Sequence, residues 1–453
     1  MSDGSSIDLM LGDPKKALRG MLFPLIVSYM VVQINLLADT IWCSGLGSDA
    51  SSAVSAMSPL YWIISDIGTG LGVGASVSIA RSIGAGDRER ANELCRQMAI
   101  FSIFASAVVT VILLMILKPG IHLIGADDVG QGCVDYMMPM ILCSVFIIMD
   151  GVFAGLIRAE GAAKRVMILL MSVSVINMIL DPILIYVFDM GLMGAGLATV
   201  LGSLGSALLA ISWYARRQLN LTISLSGYRP RLPYIGDMLY VGIPRISESM
   251  IVNVMSFIQR IFVIMCAGTV GVTIFNIPWR YVAIGIVPAL AISAAMVPIC
   301  SAALGRNDMG KAKTGFRYAV SLSLKVLIPI SLAIFILADL LVIPFTLSPS
   351  MMELRPQFVE TLRIYAFIIP FFGMIEVGSA ILQSLRMAQF AMLLSFLRNL
   401  LICIFFLFAY HYTMTVISLS LLVAEIIGGL GMIDIAYFAI RRREKTYLIS
   451  ARS

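Results

Sequence analysis

The sequence predicts an all-α integral membrane protein: twelve transmembrane helices in two six-helix lobes that repeat in parallel around a central cleft. Three observations lead there. Of the 453 residues, 59% are hydrophobic and only 13% charged, with a mean hydropathy of +0.95, a balance that a soluble domain does not tolerate. The apolar residues run in stretches long enough to cross about 30 Å of hydrocarbon, which takes roughly 20 helical residues. They are too long and too continuously apolar for the alternating strands of a closed barrel. Lys and Arg, finally, collect in every second connection, as they do in short cytoplasmic loops.

In chain order, spans are expected over residues 18–42, 52–80, 92–118, 131–157, 164–187 and 190–214, then 237–266, 272–303, 314–343, 358–384, 388–411 and 414–438. One side carries Lys15, Lys16 and Arg19, then Arg88, Arg90 and Arg96, then Arg158, Lys164 and Arg165, then Arg216, Arg217, Arg229 and Arg231. It continues with Arg306, Lys311, Lys313 and Arg317, then Arg386, and closes with Arg441, Arg442, Arg443 and Lys445. The other side has little beyond Lys118 and Arg355. Twelve spans with both termini cytoplasmic satisfy every loop. The net charge of +6 is therefore a topology signal directed at anionic headgroups of the bilayer, not at nucleic acid. Asp3 and Asp8 open the chain without a basic flank, so no signal peptide is expected. The seven cysteines are scattered, with Cys95, Cys143, Cys300 and Cys403 inside spans, and read as small core residues.

The halves share a plan. After the second span comes Gly84-Ala85-Gly86-Asp87-Arg88-Glu89-Arg90-Ala91, and after the eighth Gly305-Arg306-Asn307-Asp308-Met309-Gly310-Lys311-Ala312. Both place Asp three residues after Gly, a basic residue three further on, and then Ala. A weaker pair is Ile157-Arg158-Ala159 with Leu382-Gln383-Ser384. Six spans return the chain to its starting side, so the repeats run in the same direction and are related by an axis along the membrane normal. The expected organisation is a cytoplasmic segment 1–17, an N-lobe 18–214, a cytoplasmic linker 215–235 rich in Arg and Pro, a C-lobe 236–440 and a basic tail 441–453. Two parallel bundles facing one another suit alternating access.

Asp39 and Asp181 stand inside apolar stretches, where an ionised side chain costs roughly 2.5 to 3.5 kcal/mol and usually marks an ion or substrate path. Asn177 and Asp181 are four apart and share a helix face. Pro182 follows directly, without an amide hydrogen and with a ring that disturbs the bond to the carbonyl of Met178. An amide oxygen, a carboxylate and a freed carbonyl can replace part of the water shell of a small cation, or the carboxylate can carry a proton. Asp39 and Asp181 both lie late in outward-running spans, with the Thr199 hydroxyl at comparable depth. Two like charges without a basic partner are poor structural glue, which favours a functional reading over a polar knot.

In the second half, Glu248 and Glu376 lie within a few turns of the inner surface, where they can attract a cationic solute. Arg398 and Glu425 are expected to form a charge pair that lets both be inserted. Asp66 and Asp150 have no assigned partner. The glycines at 68, 70, 72 and 74 have the wrong spacing for a nucleotide fingerprint and fit close helix approach. His122 and His411 are the only histidines and lie near the outer surface, which leaves a metal enzyme or hydrolase almost nothing to work with.

At these residues the chain resembles the multidrug and toxic compound extrusion (MATE) family, within the multidrug/oligosaccharidyl-lipid/polysaccharide flippase superfamily. The resemblance covers nearly the whole length. It rests on Pro24, Gln33-Ile34-Asn35, Asp39-Thr40, Gly45-Leu46-Gly47 and Asp49-Ala50, on Gly70 to Ala91, and on Arg158-Ala159-Glu160-Gly161 leading to Asn177, Asp181-Pro182 and Gly191 to Thr199. It implies two lobes, and export of organic, often cationic, compounds in exchange for inward Na⁺ or H⁺. Carried over by position, Asp39, Asn177, Asp181 and Thr199 resemble the family's cation site, which holds Na⁺ if the carrier is sodium-coupled, and Gln33 and Asn35 line the substrate cavity. Some members carry acidic residues about one helical turn from Glu248 and Glu376, which are assigned here to the same cavity.

The expected protein is thus a secondary antiporter with no catalytic residue and no cofactor beyond the coupling ion. It is expected to act as a monomer on small organic molecules in the plasma membrane of a prokaryote. The alternative is a flippase for a lipid-linked saccharide or lipid, which would want a cationic cavity where the first lobe offers carboxylates. A receptor is disfavoured because the short loops leave no ectodomain.

Overall fold

The computed structural model describes residues 4–123, 125–224, 226–346 and 349–450. Asp3 and the outermost ends of both terminal segments lie outside them. Among the described residues all regular structure is helical. The order is α1 (Gly4–Leu11), α2 (Pro14–Ser44), α3 (Ser48–Gly84), α4 (Arg88–Leu123), α5 (Gly130–Leu142), α6 (Ser144–Ala159), α7 (Ala163–Pro182) and α8 (Gly191–Ala215). Then come α9 (Leu232–Gly285), α10 (Val287–Gly305), α11 (Met309–Ile336), the short α12 (Ala338–Leu341) and α13 (Pro349–Met352), α14 (Arg355–Ala366), α15 (Ile368–Ser384), α16 (Ala388–Ala409) and α17 (Met414–Ser450). Eleven helices are long and apolar enough to cross a membrane, and α5 with α6 makes twelve candidate spans. Large apolar side chains such as Phe104, Val111 and Met115 of α4 point outward, exposed. A soluble protein would bury such a face; a bilayer solvates it.

Several spans differ in shape from the simple rods expected. The fourth is broken, α5 and α6 meeting at 55° around Cys143. The non-helical backbone at Ala267 and Gly268 inside the 54-residue α9, the latter with φ +63°, falls in the expected connection between the seventh and eighth spans, and the eighth is itself split between the end of α9 and α10. The fifth ends in a π-helical turn, Ile183–Val187, directly after Pro182. Proline supplies no amide hydrogen, and a helix then re-registers its bonds. Here the Phe188 amide donates to the Ile183 carbonyl, five residues back.

The duplicated loop motif has a backbone explanation. Gly86 and the corresponding Asn307 both adopt left-handed φ, +80° and +59°, a conformation natural to Gly and tolerated by Asn. Asp87 and Asp308 then start the next helix, their Oδ1 atoms accepting from the amides of Arg90 (2.9 Å) and Lys311 (2.8 Å). Each satisfies an otherwise orphaned donor of the first helical turn.

The chain divides into two compact units, residues 1–246 with 301–307, and residues 247–300 with 308–453. In the first, α3 packs on α6, α2 on α7, and α7 and α5 on α8. The close-set glycines make this possible. Gly68 and Gly72 lie against the backbone of Ile148, Gly151 and Gly155 on α6, while Gly70 and Gly74 lie against Ile246, Gly242 and Met238 on α9. A β-carbon on any of them would overlap its neighbour. The last turn of α10 belongs to this unit, with Gly84 against the Ala302 carbonyl, Gly305 against the Arg81 carbonyl, and Arg306 Nε donating to the Gly84 oxygen at 3.3 Å. The linker after α8 is strapped along α4: Asn92 accepts from the Thr222 amide (2.9 Å), and Gln97 donates to the Arg229 carbonyl (2.6 Å) and accepts from the Arg231 amide (3.1 Å).

Glu160, in the turn after α6, is fully enclosed, with Oε2 accepting from the Asn220 amide at 2.7 Å. Burial pushes its carboxyl up to about 7, against the hydrogen bonds from Asn220 and Leu221 and the nearby charge of Arg165.

In the second unit α15 packs on α17 and α11, and α16 on α17, around Phe358, Leu362, Tyr365 and Phe406. Arg398 of α16 meets Glu425 of α17 at 3.2 Å, both side chains buried, as the sequence led us to expect. All seven cysteines are free thiols.

Candidate functional site

The packing of both α2 and α8 against α7 gathers the four residues of the candidate cation site in the first unit. Asp181 and Asn177 lie one turn apart on α7. Asn177 Nδ2 donates to Asp181 Oδ1 at 3.1 Å and reaches Thr199 Oγ1 of α8 at 3.5 Å. The Thr199 hydroxyl donates in turn to the Ala195 carbonyl one helical turn back, at 3.2 Å. Asn177 and Asp181 are buried, Thr199 and Asp39 half-buried.

Asp39 approaches from α2, near enough for its charge to act on Asp181. Its Oδ1 accepts a long, weak contact from the Cys43 thiol at 3.9 Å. Asp181 has no solvent-accessible surface, and its Oδ2 is enclosed without a hydrogen-bond donor. A buried carboxylate oxygen with no donor carries a large desolvation penalty. A proton or a small cation placed there removes it.

Gln33 and Asn35 stand half-buried on the same helix as Asp39. Asn35 lies one turn before Asp39, and its Oδ1 is likewise enclosed without a donor. Glu248 and Glu376 belong to the second unit and form no part of this cluster. Glu248 is buried on α9 and accepts from the hydroxyls of Ser379 (3.1 Å) and Ser395 (2.8 Å). Gln383 extends that network by donating to Ser379 at 3.0 Å. Glu376 is half-buried on α15.

Two further groups join the first unit's polar interior. Tyr136 of α5, almost fully buried, lies within electrostatic reach of Asp39 and Asp181. Asp150 of α6 accepts from the Ser206 hydroxyl of α8, and Tyr61 of α3 lies within reach of Asp150, Asp39 and Asp66. Nothing in the spacing of these residues marked them, since each comes from a different helix. The one available signal was that a tyrosine or aspartate inside an apolar span needs a polar partner.

The MatE family profile matches residues 24–183 and 244–410. The multidrug export protein MepA of Staphylococcus aureus is 24% identical over 393 residues, 85% of each chain. MepA of Staphylococcus saprophyticus is 26% identical over 265 residues, 57% of this chain and 58% of that one. Among solved structures, a MATE protein in complex with MaL6 superposes with a TM-score of 0.93 at 27% identity, covering 97% of this chain and 99% of that one. A transporter of the MOP superfamily from Pyrococcus furiosus, described as having a binding pocket of reverse polarity, gives 0.92 at 27% identity over 96% and 98%. An outward-facing multidrug resistance MATE transporter gives 0.90 at 25% over 97% and 99%.

Proposed function

The chain belongs to the MatE family of multi-pass membrane transporters, and from that premise we propose that it is a secondary antiporter. It exports amphipathic, often cationic, organic compounds from the cytoplasm in exchange for Na⁺ or H⁺ by alternating access. The observation that carries this reading is the pairing of Asp181, fully enclosed with one oxygen undonated, with Asp39 on a neighbouring helix. Asp39, Asn177, Asp181 and Thr199 would hold the coupling ion, and Gln33, Asn35, Glu248 and Glu376 serve the organic substrate. Two like charges held close in an apolar unit repel until a positive ion arrives. The cation therefore favours the conformation that presents the pair most closely, and it drives transport only through that difference in affinity. The Lys and Arg distribution and the bacterial relatives support placement in the plasma membrane of a prokaryote with both termini cytoplasmic, where the protein is expected to act as a monomer.

The test is transport by purified protein in liposomes, given a Na⁺ gradient or a pH gradient in turn, with a fluorescent organic cation as reporter. Asp39→Asn and Asp181→Asn are expected to abolish gradient-driven efflux while the protein remains folded. Unaltered transport in either variant refutes the assignment of the site. Loss of efflux under both gradients across several dyes in the unsubstituted protein would refute the antiporter in favour of a lipid flippase.

A further inference from the structure

Asp39 and Asp181 lie on different helices, so the affinity of the pair for a cation depends on how firmly the end of α2 is held to α7. Three features converge about one turn beyond the carboxylates. The Tyr186 hydroxyl donates to the Trp42 carbonyl at 2.5 Å. The two rings meet edge to face, centroids 6.2 Å apart at 68°. Gly45, at the end of the same helix, is where a β-carbon would collide with that hydroxyl.

The π-helical turn explains how Tyr186 reaches α2. In an α-helix, the residue five beyond Asp181 points about 140° away from it. The π-helical turn Ile183–Val187, closed by the Phe188 amide on the Ile183 carbonyl, takes more residues per turn than an α-helix, so each advances by less than about 100° and Tyr186 is rotated back from that direction. Tyr186 is thereby delivered to the side on which α2 packs. Its bond engages one of the last carbonyls of α2, that of Trp42, which also accepts from the Gly45 amide at 3.2 Å and has a second lone pair for the tyrosine.

We propose that Tyr186 is a positioning residue for the coupling-cation site: its bond to the Trp42 carbonyl, in the space left by Gly45, fixes the separation of Asp39 and Asp181 and so sets cation affinity. The inference rests on the reading of those two carboxylates as the coupling site. Tyr186 itself does not ligate the ion. Losing one such hydrogen bond is worth roughly 1 kcal/mol, or about a fivefold change in an equilibrium constant.

The test uses the full chain with Tyr186→Phe, which keeps the ring, Gly45→Ala, which displaces the hydroxyl, and Asp39→Asn as reference. Na⁺, exchanged against N-methyl-D-glucamine at constant ionic strength, and H⁺ are each titrated. The readouts are the cation dependence of the unfolding midpoint, which reports binding to the native state, and the KM for the driving cation in liposomes. Tyr186→Phe and Gly45→Ala are expected to raise the cation Kd and KM about fivefold while leaving the maximal rate within twofold. An unchanged Kd and KM in both variants, alongside a response abolished in Asp39→Asn, overturns the proposal. So does a midpoint lowered equally at every cation concentration, because that marks a structural role only. A cation response that survives Asp39→Asn would overturn the reading of the site itself and the positioning role with it.

Discussion

Glu425→Gln is expected to be among the most damaging single substitutions in the second unit. Arg398 Nη1 and Glu425 Oε2 are 3.2 Å apart, with the two side chains 8% and 5% exposed. Arg398 is hemmed in, since a β-carbon on Gly428 would fall 2.6 Å from its Cγ, and its Nε has no acceptor. At an effective dielectric of about 20 the attraction at that distance is about 5 kcal/mol, most of which offsets the desolvation of two ions. The pair therefore adds little net stability, whereas removal of one partner strands the other charge. The cost expected for Glu425→Gln or for Arg398→Met alone is roughly 3 to 5 kcal/mol. The double variant Arg398→Met/Glu425→Leu removes both charges at similar volume and is expected to lie within about 1 kcal/mol of the parent. The assay is a double-mutant cycle on unfolding in mild detergent, followed by tryptophan fluorescence, with the coupling energy read from the non-additivity. If both single variants unfold within about 0.5 kcal/mol of the parent, or the double is as unstable as their sum, the two residues do not act as a buried pair.

Two other perturbations follow from the geometry. Glu160 is raised from its ordinary value of 4.5 to about 7 by burial, so the native state binds its proton more tightly than the unfolded chain does. The resulting stabilisation is complete below about pH 4.5 and is lost as pH rises through about 7, an effect on the order of 3 kcal/mol. The unfolding midpoint should fall between pH 5 and pH 8, and Glu160→Gln should flatten that slope; an identical slope in the variant would show that other groups cause it. Gly84 offers no room for a β-carbon against the Ala302 backbone, whereas Gly236 has open space around it. Gly84→Ala is expected to cost about 1 to 3 kcal/mol and Gly236→Ala less than about 1, and equal midpoints would contradict the tight α3–α10 contact.

How much of this was legible in the sequence depended on whether the signal was local. The twelve spans were readable because a bilayer imposes a length and a polarity that each segment must meet by itself. Asn177 and Asp181 were readable as a pair because helical periodicity alone puts them on one face, and the structure joins them at 3.1 Å. The repeated Gly-to-Ala motif was visible, but its cause was not: a left-handed residue at Gly86 or Asn307 and an N-capping Asp are backbone events, recognisable only once the helix ends are known. The break at Ala267-Gly268 falls in the expected connection between spans seven and eight, whereas the one at Cys143 was missed because the apolar run continues through it. Tyr136, Tyr61 and Tyr186 were missed for a different reason. Each acts on a helix distant in sequence, and a tyrosine in a span reads equally well as an interfacial anchor. Tyr186 shows what such a reading lacks. Its consequence for Asp39 appears only when Pro182 is seen to be followed by a π-turn, because in an unbroken α-helix the same residue would face away from α2 and the two carboxylates would lose the tie between their helices.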